Sequence, residues 1–134
     1  MKVLVLTSEP ITADQLRGAL GRDVDPSDAE VMVVAPAYSE SGLKFWMSDA
    51  DEAIARAEQV RRDSVQELDK AGIPASGDTG ESDPETAIED ALTTFDADRI
   101  VVFTHTGEDQ RYREDLDWDE LAERVGRPID QTAV

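Results

Sequence analysis

Apolar and polar positions along the chain follow two alternating rhythms. Val3-Leu4-Val5-Leu6 is a continuous apolar run of strand type. Thr12-Ala13-Asp14-Gln15 is a capping-box pattern, followed by Leu16, Ala19 and Leu20 at helical spacing, with Gly21 as a stop. Val31-Met32-Val33-Val34 is a second strand-like run, ended by Pro36. Asp49 and Glu52 can cap a long helix with apolar positions Ala53, Ile54, Ala57, Val60, Val65 and Leu68, closed by Gly72. Ser82-Asp83-Pro84-Glu85 opens another helix, with Ala87, Ile88, Ala91, Leu92 and Phe95 on one face. Arg99 to Phe103 reads as a strand. Asp117-Trp118-Asp119-Glu120 caps a last helix carrying Leu121, Ala122 and Val125 and ending at Gly126; Pro128 to Val134 closes the chain as a short strand.

The predicted order is therefore β-α-β-α-(short β)-α-β-α-β in one domain, residues 1–134. The strands are continuous apolar runs rather than alternating ones, as expected where helices cover both faces of a sheet. This alternation predicts a parallel α/β sheet with right-handed crossovers. The weak element is the third strand, around Ile73 to Ser76. Only Ile73 and Ala75 are apolar there, which predicts a strand that is short, at an edge, or absent. Ser76 to Pro84 is rich in Gly, Ser, Asp and Pro and reads as a loop.

Charge changes the picture next. The chain carries 31 acidic and 13 basic residues, a formal net charge of −18, and its only lysines are Lys2, Lys44 and Lys70. Such a chain repels nucleic-acid phosphates and anionic membranes. The acids are spread over the whole chain rather than gathered in a tail. The pattern resembles proteins of salt-in halophilic archaea, where molar salt shortens the Debye length to about 3 Å and screens the self-repulsion. There is no cysteine, so no disulfide and no thiolate chemistry. No apolar run approaches the roughly 18 residues of a membrane span. The amino-terminal apolar stretch lacks a small-residue cleavage site and reads as a strand rather than a signal peptide. The expectation is a soluble cytoplasmic protein.

Candidate chemistry follows from topology. In an open parallel sheet, ligands bind outside the carboxyl ends of the strands. Three connections reach that rim. The first holds Thr7 and Ser8, which can donate to an anion or only prepare the turn before Pro10. The second, Ala37 to Ser48, gathers Tyr38, Phe45, Trp46 and Met47 as a lid, a partner surface, or the inward-packed first turn of the long helix. The third, Thr104 to Leu116, holds Thr104, His105, Thr106, Gly107 and Arg111. His105 is the single histidine and a weak candidate for acid/base chemistry. Arg111 and Arg113 can grip a carboxylate or phosphate, or pair with Glu108, Glu114 or Asp115. With one His and no Cys, no transition-metal site is expected.

The run "GDTGESDPETAIEDALTTFDADRIVVFTH", Gly77 to His105, resembles the universal stress protein family. There a Gly-Asp stretch leads into an Ala-Ile-containing helix. An Ala-Asp pair then precedes an apolar strand ending in a Ser/Thr-His turn. Gly77 and Asp78, Ala87 and Ile88, Ala97 and Asp98, and Ile100 to Val102 match these parts, with an insertion before Pro84. The resemblance implies a three-layer α/β/α sandwich around a mostly parallel five-stranded sheet of order 3-2-1-4-5. This is a Rossmann-like fold of the adenine-nucleotide α-hydrolase-like group. It implies a stress-response role and a homodimer, paired through the last strand. Here Ile129-Asp130-Gln131-Thr132-Ala133 is less apolar than usual, which makes the aromatic loop the alternative contact.

ATP-binding members carry Gly-x-x-Gly and, further on, Gly-Ser or Gly-Thr after the fourth strand. These glycines let backbone N–H groups approach the phosphates. This chain has Gly107 alone, with Gln110 three residues on, and acids follow it. The adenine-side Asp after the first strand is also missing, since Thr7-Ser8-Glu9 stands there. The sequence thus predicts a binding or regulatory module without classical ATP binding and with no required cofactor. Two alternatives stay open. One is a binder of ATP, AMP or a smaller anion through Thr104, Gly107 and Arg111. The other is a small enzyme of the same fold group using His105.

Overall fold

The structure, a computed structural model, describes residues 1–7, 9–21, 28–36, 49–80, 84–104 and 118–133. The elements are β1 (Lys2–Thr7), α1 (Ala13–Leu20), β2 (Glu30–Pro36), α2 (Asp49–Lys70), β3 (Ala75–Gly80), α3 (Pro84–Thr94), β4 (Arg99–Thr104), α4 (Trp118–Val125) and β5 (Ile129–Ala133). The five strands form one sheet in the order β3-β2-β1-β4-β5, and every pairing is parallel. No described helix is long and apolar enough to cross a membrane.

Strand alternation splits the core into two layers. Val3 and Val5 of β1, Val31 and Val33 of β2, and Val101 and Phe103 of β4 point to one face, with Leu16 and Leu20 of α1 and Leu68 of α2. Leu4, Leu6, Val34, Ile100 and Val102 point to the other, with Ala87 and Ile88 of α3 and Trp118 and Leu121 of α4. Helices α1 and α2 cover one face and α3 and α4 the other. The doubly covered sheet explains why its central strands are apolar without interruption.

The helix ends follow local chemistry. Gln15 N–H donates to Thr12 Oγ1 at 3.2 Å, and Thr12 N–H donates to Gln15 Oε1 at 2.9 Å, which closes the capping box. Helix α2 ends in a Schellman motif. Gly72, at φ 81°, donates its N–H to the carbonyl of Asp69, and Ile73 donates to that of Leu68. Ile73 is buried in the same layer as Leu68, the apolar contact that accompanies this motif.

Two sequence expectations change. The third strand is at the edge, one of the outcomes its sequence allows, but overlaps Ile73 to Ser76 only at Ala75 and Ser76. It spans Ala75–Gly80, six residues, and takes in Ser76 to Gly80, the start of the stretch that composition reads as a loop. It lies at the sheet edge, with Val31 opposite Ala75 and Pro36 opposite Gly80. An edge strand is held by backbone hydrogen bonds on one side and needs little apolar content. Ile54, assigned to the apolar face of the long helix, is 46% exposed. Helix α2 has 22 residues, about 33 Å at 1.5 Å per residue, against roughly 20 Å for a six-residue strand. Among the described side chains of α2, Ala57 and Val60 pack with Ala35 of β2, and Ile54, one turn earlier, stays outside that cluster.

Gly77 shows why the polar third strand carries a glycine. A Cβ built there would lie 2.4 Å from Arg61 Cγ and 2.9 Å from Val65 Cγ2, both on α2. Gly77→Ala is therefore expected to destabilise the fold by about 1–3 kcal/mol through overpacking. Urea unfolding followed by circular dichroism checks this. An unchanged midpoint would mean that Arg61 swings clear at no cost.

Candidate functional site

The carboxyl edge of the sheet has its switch point between β1 and β4. These strands are adjacent, with Thr7 opposite Phe103. The chain leaves β1 toward α1 on one face and leaves β4 toward α4 on the other. In open α/β sheets in general, ligands bind outside the carboxyl ends of the strands at such a switch point; here residues 105–117 of the connection after β4 lie outside the described residues.

On the β1 side of the switch point, the described contacts stay within the protein. Thr7 is fully buried, and its hydroxyl donates to the Glu9 carbonyl at 2.6 Å while accepting from Glu9 N–H at 3.2 Å. Of the two roles open to Thr7, turn formation is the one its contacts show. Ile11 is also fully buried, and its N–H donates to Ser64 Oγ, 3.1 Å away on α2. Thr12 then caps α1. These hydrogen bonds tie Glu9 to Thr7, Ile11 to α2 and Thr12 to the first turn of α1. Sequence reading passed over Ser64. Its one signal is position: Val60, Ser64 and Leu68 recur every fourth residue, which puts a hydroxyl inside the apolar stripe of α2.

Ser64→Ala would leave the buried Ile11 N–H without its acceptor. A loss of about 1–3 kcal/mol is expected, the usual cost of an orphaned buried donor. Thermal melts of the two proteins in the same salt measure it. Equal melting temperatures would show that the loop finds another acceptor.

Thr104 ends β4 opposite Ala133 of β5. Ser8, His105, Thr106, Gly107 and Arg111 lie outside the described residues, as do Tyr38, Phe45, Trp46 and Met47. Among the described residues, no group of three His, Cys, Asp or Glu side chains is placed to hold a metal ion.

The amino edge of the sheet is tied by arginines. Arg99, at the start of β4, donates Nε to Asp130 of β5 at 2.6 Å and Nη1 to the Leu20 carbonyl at 3.2 Å, so it also satisfies the carboxyl end of α1. Arg127 donates to the carbonyls of Ala97, at 2.7 Å, and Val125, at 2.6 Å, and pairs with Asp96. Between α3 and α4, Arg124 meets Glu85 at 3.2 Å and Glu89 at 2.9 Å. The hydrogen bond with Glu85, reinforced by both carboxylate charges, raises the Arg124 guanidinium above its ordinary pKa. Beside this edge lies an acidic recess lined by Asp28, Glu30, Asp96 and Asp98, with Met1 and Lys2.

The fold is that of a single-sheet Rossmann-like α/β protein with its topological switch point between β1 and β4. No protein-family model matches the chain, and no curated protein matches it either.

Proposed function

We propose that this chain is a universal-stress-protein-like binding and regulatory module. It works in the cytoplasm of a cell with high internal salt, as a homodimer, without the classical ATP cradle. The observation that supports this reading is the strand order β3-β2-β1-β4-β5, in which the β4 connection leaves directly from the switch point. That connection has Gly107 as its one glycine and then a run of acids. A triphosphate needs several close backbone N–H groups and a local excess of positive charge, and a single glycine among carboxylates supplies neither.

Arg111 and Arg113 in the same connection favour a second reading, a binder of AMP or a smaller anion gripped by guanidinium groups. Native mass spectrometry of the purified protein in volatile salt, then with ATP, AMP and Mg²⁺, separates the two. The expected result is a dimer that carries no nucleotide and ignores ATP. A co-purified nucleotide or a tight ATP complex would overturn the first reading. AMP binding without ATP binding, lost in Arg111→Ala, would establish the second.

A further inference from the structure

We draw no further inference here: the strongest candidate, the acidic recess at the amino edge of the sheet lined by Asp28, Glu30, Asp96 and Asp98, is a cluster of carboxylates with no second feature among the described residues that points to a ligand.

Discussion

Transfer from molar KCl to a buffer of about 10 mM ionic strength is expected to lower the melting temperature by roughly 10 °C or more. At low salt the Debye length is about 30 Å, so charges interact across the whole domain; in molar salt it is about 3 Å and they do not. With 31 acids against 13 bases, most charge pairs on this surface repel. Salt also weakens the attractive pairs, and that effect has the opposite sign. The exposed pairs Arg17 with Asp14 and Lys70 with Glu67 are i,i+3 contacts worth about 0.5 kcal/mol or less each. The excess of 18 negative charges outweighs them. Arg99 and Arg127 are little affected, because they are part-buried and donate to carbonyl oxygens as well as to carboxylates. Melts by far-ultraviolet circular dichroism across a KCl series test this. A melting temperature that stays level, or rises as salt is removed, would refute adaptation to high salt. Sucrose, which favours compact states without screening charge, is expected not to replace KCl.

Phe103→Ala is expected to cost about 3–5 kcal/mol, the range for truncating a fully buried aromatic. Phe103 has no exposed surface and packs in the layer between the sheet and helices α1 and α2. It is also the β4 residue opposite Thr7, so the cavity would open beside the switch point. Against a total stability of about 5–15 kcal/mol, this loss takes a large share of the fold. Ile54→Ala is the informative contrast. At 46% exposure near the amino end of α2, it is expected to cost under about 1 kcal/mol. Urea titrations in molar salt compare the two. Equal shifts would show that Ile54 is packed as tightly as a core residue.

That contrast shows how far a periodic pattern can be read. Ile54 and Val60 carry the same helical signal, and nothing in the sequence says where the sheet beneath them ends. The capping box at Thr12 and Gln15 and the glycine stop at Gly72 depend on neighbours within a few residues, and both are as the sequence implies. The candidate site was legible only as a location. Order of elements suggests the rim after β1 and β4, and the Thr7 hydroxyl could serve a ligand or its own turn; its contacts to Glu9 show the turn.

By itself, the sequence determined the element order, the capping box of α1, the glycine stop of α2, the apolar central strands and the surplus of acid. Each depends on local periodicity or composition, which folding does not alter. Tertiary structure alone decided the rest. Gly77 is needed because α2 presses Arg61 and Val65 against an edge strand that composition reads as a loop. Ser64 matters because it meets Ile11, 53 residues away, and Arg99 because it reaches Leu20, 79 residues away. Those partners are brought together by the burial of the sheet between its helices, a cooperative event, and neither position in the chain names its distant partner.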